Sequence, residues 1–265
     1  MTFRRLAGLL LATAATSAVM GAAKEAEANA WTQRKGKGQV IVKAEAMRAE
    51  DGYDPSGELS SLTAEREDGA LGVFAQYGLT DTLTVQFKGD WQAGEDAFVD
   101  YEGRGPIELG LIWQAYRDDR NAVSLYAGYS LAGDGRNAGY AAPGIGERDW
   151  EVRVFAGRSL GGAGRGWGPD RSFVEVQAAR RMRDGLPDET RADVTVGGHF
   201  GDGWMVLGQA FAGMTDGEGA RWVSVETSVV RNLGDWSLQA GWRRTVAGRE
   251  TPLAEGPVVA LWRRF

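Results

Sequence analysis

Residues 83–91 read Leu83-Thr84-Val85-Gln86-Phe87-Lys88-Gly89-Asp90-Trp91. Leu83, Val85, Phe87, Gly89 and Trp91 share one parity, and the other parity holds only Thr84, Gln86, Lys88 and Asp90. Successive side chains of a strand point to opposite faces, so this stretch predicts a β-strand with one face toward lipid or core and the other toward water. The pattern recurs along the chain. Ile107, Leu109, Leu111 and Trp113 alternate with Glu108, Gly110, Ile112 and Gln114, and Val123, Leu125, Ala127, Tyr129 and Leu131 alternate with Ser124, Tyr126, Gly128 and Ser130. Trp150, Val152, Val154 and Ala156 oppose Glu151, Arg153 and Phe155, while Trp236, Leu238, Ala240 and Trp242 oppose Ser237, Gln239, Gly241 and Arg243. Residues 39–49, 62–78, 172–183, 190–200, 204–214, 220–231 and 256–265 are further candidates, about twelve in all. Segments of about ten residues with period two, separated by Gly, Asp, Asn and Pro, are the pattern of an antiparallel transmembrane β-barrel.

Proline, connection length and tryptophan extend this reading. Pro55, Pro143, Pro169, Pro187 and Pro252 fall in expected connections, and Pro106 and Pro257 at expected strand starts, where a missing donor costs least. The connections after Leu79, Arg117, Phe200 and Arg231 turn within a few residues, whereas 50–61, 92–105, 133–148 and 247–255 are expected to be long loops. Short periplasmic turns and longer external loops are the asymmetry of outer-membrane barrels. The glycine-rich stretch Gly161–Arg171 is an exception on the short-turn side. Trp91, Trp150 and Trp222 are expected in an external aromatic girdle, and Trp113, Trp204, Trp236 and Trp262 in a periplasmic one. The competing expectation is a soluble β-sandwich with tryptophan in its core.

The first thirty residues predict a secretory signal peptide. Arg4 and Arg5 are followed by the apolar run Leu6–Met20, and Ala28-Asn29-Ala30 offers small residues before Trp31. Gly21-Ala22-Ala23 is a second acceptable junction. The run is shorter than the ~20 residues of a spanning helix, so it is expected to be removed rather than kept as an anchor. The expected organisation is a signal peptide over 1–30 and a barrel over 31–265. After removal the chain has 27 Lys+Arg against 34 Asp+Glu. That acidic balance argues against nucleic acid as a partner. With Cys 0, an exported chain must close by hydrogen bonding and burial alone. Glycine is abundant, 39 of 265, as a twisted all-β chain with many turns would use it. No apolar run beyond the leader approaches helix-spanning length, so a membrane crossing would have to use strands.

Tyr77-Gly78-Leu79-Thr80-Asp81-Thr82-Leu83-Thr84-Val85 resembles the strand-turn-strand element of transporter-like outer-membrane barrels. That group includes proteins linked to meta-pathway degradation of aromatic compounds such as phenol and XagA-type proteins of exopolysaccharide loci. The resemblance extends to the export signal, to Trp31-Thr32-Gln33 ahead of Gly36 and Gly38, and to the end Leu261-Trp262-Arg263-Arg264-Phe265. Phe265 is similar to the terminal mark by which the barrel insertion machinery selects clients. Arg263 departs from that pattern, which more often has an apolar or aromatic residue there. The resemblance implies an outer-membrane location in a Gram-negative bacterium. It also implies either passive passage of a small or hydrophobic solute or a structural role beside a polysaccharide exporter.

Catalysis and metal binding find little in the sequence. His199 is the single histidine, and its same-face neighbours Gly197 and Gly201 leave no adjacent serine, so a barrel-embedded lipid hydrolase is the weakest functional expectation. With no cysteine and one histidine, no metal or other cofactor is expected; Asp51-Gly52-Tyr53-Asp54 and Asp216-Gly217-Glu218 read as turns before they read as calcium loops. Gly161-Gly162-Ala163-Gly164 lacks the Lys-Ser/Thr ending of a phosphate loop. What remains is an interior of both signs. Lys43, Glu45, Lys88, Glu108, Glu151, Arg153, Glu175, Arg181, Asp193, Glu226 and Arg243 all fall on the faces assigned inward. They are expected either to line a narrow pore and set its selectivity or to pair across strands and fill a closed lumen. On the pore reading, removal of Arg153 changes ion preference rather than assembly.

Overall fold

The computed structural model describes residues 29–98, 100–134, 146–161 and 168–265. The leader junction at Gly21–Ala23, Ala28, Pro143 and Gly162–Gly164 lie outside the described residues. Twelve long antiparallel strands run up and down in chain order: β1 Gly38–Tyr53, β2 Leu59–Gly78, β3 Leu83–Glu95, β4 Asp100–Arg117, β5 Asn121–Leu131, β6 Arg148–Leu160. They continue as β7 Arg171–Arg183, β8 Glu189–Phe200, β9 Trp204–Thr215, β10 Arg221–Leu233, β11 Trp236–Arg249 and β12 Glu255–Arg264. The two-residue stretch Thr251–Pro252 adds a short ladder to the end of β1. Each strand pairs with its sequence neighbours, and β1 pairs with both β2 and β12, with Val42 opposite Val73 on one side and Leu261 on the other. The sheet therefore closes on itself and leaves no long edge.

The two faces are inverted relative to a water-soluble protein. Leu109, Trp113 and Trp150 are 58%, 53% and 58% exposed, whereas their strand neighbours Glu108 and Glu151 are 6% and 2% exposed. A belt of large apolar side chains outside and charge inside cannot be a sandwich core; it is the outer surface of a transmembrane barrel. From Leu83 to Trp91 this belt covers ~27 Å along the strand, or ~20 Å of height at the usual tilt.

The start of β1, the end of β12 and the connections 79–82, 118–120, 201–203 and 234–235 lie at one end of the barrel. Short turns mark this end as periplasmic. Of the four opposite connections expected to be long, three are shorter than the sequence suggests, and the one between Leu131 and Arg148 keeps its expected length. Strands continue to Tyr53 and Glu95 and resume at Leu59 and Asp100, so most of 50–61 and 92–105 is ladder, and β11 runs to Arg249. The turn-like residues there are absorbed by irregularities in the pairing, at Ala49/Asp51 and where Gly89 faces Ile107 but Trp91 faces Arg104. Pro106 sits within this second irregularity rather than at a strand start, where a β-bulge leaves no ladder bond for it to donate.

Two tryptophans also differ from expectation. Trp222 is 3% exposed and faces the interior beside Arg191, and Trp262 turns inward and donates Nε1–H to Gln239 Oε1 at 3.1 Å. Trp222 shares parity with Glu226 and Trp262 with Val258 and Ala260, so ladder geometry outweighs the aromatic preference for the interface.

Candidate transport lumen

Ion pairs among the inward side chains singled out from the sequence form two groups. Lys88 Nζ lies 2.7 Å from Glu108 Oε1, and Glu108 also accepts from Tyr126 Oη at 2.5 Å and from Arg181 at 3.1 Å. Arg181 binds Glu151 at 2.8 Å, Arg153 binds the other oxygen of Glu151 at 3.0 Å, and Arg153 reaches Asp193 at 2.8 Å and Gln177 at 2.5 Å. Gln177 in turn donates to Glu175 at 2.6 Å. In the second group Arg243 binds Glu226 at 2.6 Å and Glu45 at 3.3 Å, and Lys43 lies 3.4 Å from Glu45 and 3.6 Å from Glu226. Both groups cross several strands. Arg181 of β7 reaching Glu108 of β4 spans the interior rather than one ladder.

Charge is balanced within the first chain of contacts from Lys88 to Asp193, with three cations against three carboxylates, and within the second, with two against two. Glu175 is met by amides instead of a cation. Buried charges that satisfy one another in this way avoid the cost of desolvating a lone ion.

Above and below lie layers that sequence parity alone did not single out. Toward the external end Asp68 accepts from Arg66 Nε at 2.5 Å and from Tyr101 Oη at 2.5 Å, and Glu189 lies between Arg183 and Arg191. Toward the periplasmic end the polar layer is mostly amide and hydroxyl, with Gln76 linked to Gln39 and Gln86 at 2.9 and 3.0 Å, Gln114 to Ser124 at 3.0 Å, and Arg264 donating to Ser237 Oγ at 3.2 Å. Gln39, Gln76, Gln86 and Gln114 share the parity of the charged set, and extending the inward assignment from ions to amides would have found them; Tyr101 does not, because the irregularity at Pro106 reverses the parity of β4.

The segment from Asn29 to Gln33 occupies part of this periplasmic layer. Thr32 N–H and Oγ1 meet Gln114 Oε1 at 3.1 Å each, Gln33 N–H donates to Thr84 Oγ1 at 3.0 Å, and Lys35 forms a bridge with Gly78. Ala30 is packed among Ile112, Ala122, Tyr126 and Phe155, with Trp31 against the same cluster. No periodicity announces such a segment, because it belongs to no ladder. Across the lumen, Met205, Leu207 and Val230 with Phe173 and Trp262 form an apolar cluster at the same end.

Other candidate sites resolve as structure. Arg171 and Met205 stand opposite His199 on the neighbouring strands, so no serine faces it there. Asp54 Oδ1 caps its own turn, accepting from the N–H groups of Ser56 and Glu58 at 2.8 and 2.9 Å, and Asp216 pairs with Arg180 at 2.5 Å. Among the described residues no cluster of carboxylates or histidine has the arrangement of a metal site. At the end of the chain, Gly38 and Phe265 exchange two backbone hydrogen bonds of 3.0 Å, and the half-exposed Phe265 ring lies over Gly38.

Inverted faces, a closed twelve-strand ladder and a polar lumen define the class: an outer-membrane β-barrel. No protein-family model matches the chain, and no curated protein matches it by sequence. Among solved structures the fold is similar to the COG4313 outer membrane channel from Pseudomonas putida F1, with 15% identity, 91% of this chain and 100% of that chain covered, and a TM-score of 0.64. It is also similar to the KdgM porin in complex with disordered oligogalacturonate, with 4% identity, 86% and 99% coverage, and a TM-score of 0.55. At such identities the likeness is one of fold.

Proposed function

We propose that this protein is an outer-membrane channel for passive passage of a small or hydrophobic solute, with no catalytic step. The observation that carries this reading is a seam inside β2. There the inward residues Ala70 and Gly72 are small, and the neighbouring Lys43 and Lys88 side chains stay 31% and 37% exposed. The carboxylates they hold, Glu226 and Glu108, are only 1% and 7% exposed. Free space therefore remains beside β1, β2 and β3. Space bordered by paired charges on a closed twelve-strand wall suits a small solute better than a bulky polar one. The resemblance of Tyr77–Val85 and both chain ends to transporter-like barrels brings hydrophobic compounds into the class, and the structures with similar fold are titled a channel and a porin. On this reading Phe265 is the insertion signal, and outer-membrane lipid covers the apolar belt.

Planar-bilayer recording tests the proposal. A Cβ at Gly72 would meet only ordinary contacts, the nearest being Asp90 Cβ at 3.7 Å, so the backbone accepts a side chain there. Discrete conductance steps are expected from the native barrel, and loss of most of that conductance from Gly72→Trp. Unchanged conductance in Gly72→Trp would remove the seam as the route. A silent native barrel would favour the second reading, a sealed structural or secretion partner beside a polysaccharide exporter, which the lumen-filling segment Asn29–Gln33 supports.

A further inference from the structure

Asn29 and Ala30 are held in the lumen by hydrogen bonds and packing. Ala30 has no exposed surface; its N–H donates to Glu175 Oε2 at 2.5 Å, and its carbonyl accepts from Gln114 Nε2 at 2.9 Å and Ser124 Oγ at 2.7 Å. Asn29 Oδ1 accepts from Gln76 Nε2 at 2.9 Å. The wall is shaped around them. A Cβ at Gly157 would run into the Trp31 ring and the Ala30 methyl, so glycine at that position makes room for this segment.

The leader has two junctions with small residues at the first and third positions, Gly21-Ala22-Ala23 and Ala28-Asn29-Ala30. We propose that cleavage falls after Ala23, so that the mature chain begins at Lys24 and keeps Asn29 and Ala30. This rests on the reading of residues 1–20 as an export signal. In the cleavage step a leader peptidase adds water across the Ala23–Lys24 peptide bond, leaving a carboxylate on Ala23 and an α-ammonium on Lys24.

Cleavage after Ala30 would undo the site just described. It would remove the acceptor shared by Gln114 and Ser124 and the donor to Glu175, leaving buried polar groups short of partners. It would also place a new α-ammonium inside the lumen on Trp31, whose ring packs against the apolar cluster of Phe155, Tyr126 and Ile112. Cleavage after Ala23 puts that charge on Lys24, six positions before Ala30. The leader agrees, since its apolar run ends at Met20, and Lys24, Glu25 and Glu27 separate it from the later junction.

Mass spectrometry of the envelope protein reads the outcome directly. A mature N-terminus at Lys24 is expected. A start at Trp31 overturns the proposal while leaving export intact, and a retained Met1 overturns both. Pulse-labelling supplies a second readout that does not depend on the barrel folding. Ala23→Leu, which puts a large side chain in the small-residue position, should slow precursor conversion several-fold, and Ala30→Leu should be processed at the native rate. The opposite pattern overturns the proposal.

Discussion

Arg153 and Val154 are neighbours in β6 that face opposite solvents. Val154 is 40% exposed on the outer belt, and Arg153 bridges Glu151 and Asp193 inside. Val154→Arg should cost ~2–4 kcal/mol near the membrane midplane and deplete the assembled, heat-shifted form on a detergent gel. The interior partners change what is expected of Arg153→Ala. Glu151 keeps Arg181, but Asp193 loses the cation bound to it at 2.8 Å, so this variant should lose stability as well as alter ion preference. Removing one partner of a buried pair costs ~3–5 kcal/mol. The denaturant midpoint of the barrel should fall in Arg153→Ala and recover in part when Asp193→Asn is added; equal midpoints for the two would contradict the pairing. Which face a residue takes is legible from parity, because the period of a strand is two. Which strands a charge bridges is not, because the contact from Arg181 to Glu108 depends on how the closed sheet curves.

At the scale of the element, strand existence was legible and strand length was not. The residues that suggested loops over 50–61 and 92–105, such as Asp51, Gly52, Gly94, Gly103 and Gly105, are turn formers by local preference. Neighbouring strands hold them in the ladder, and tertiary pairing overrides a preference worth little per residue. The β4–β5 turn shows local chemistry prevailing instead. Asp118 accepts from Tyr116 Oη at 2.7 Å, from the Asn121 side chain, and from the N–H groups of Arg120 and Asn121 at 2.8 and 2.6 Å. These bonds, the Tyr116 hydroxyl foremost, hold its carboxyl well below the usual range. A depressed carboxylate contributes stability that is present above its unfolded value of ~3.9 and lost as pH falls through the lower folded value. The turn should therefore stay closed at pH 4 and open only in stronger acid. An NMR titration of Asp118 in micelles should show a midpoint below ~3.9, and one at or above it would contradict the hydrogen-bond assignment.

At the scale of the whole molecule, a closed ladder with both faces satisfied should resist detergent, because no strand edge remains to be wetted. Unheated protein should thus run at a different position from boiled protein on a detergent gel, and identical mobility would argue against closure. The twelve-strand plan was legible because alternation survives in nearly every strand. The filling of the lumen by Asn29–Gln33 was not, since a short polar segment beside a leader carries no period to read. The joint between Gly38 and Phe265 has a consequence for the order of assembly. The two residues that exchange the closing hydrogen bonds stand at opposite ends of the sheet's sequence. Every other strand pair can form from sequence neighbours, whereas β1 with β12 must wait until β12 has been made and delivered. Closure is therefore the one non-local event in an otherwise local folding path, and it should be the slow one. Until it occurs, β1 and β12 are two open edges, each with a whole ladder of unpaired backbone groups.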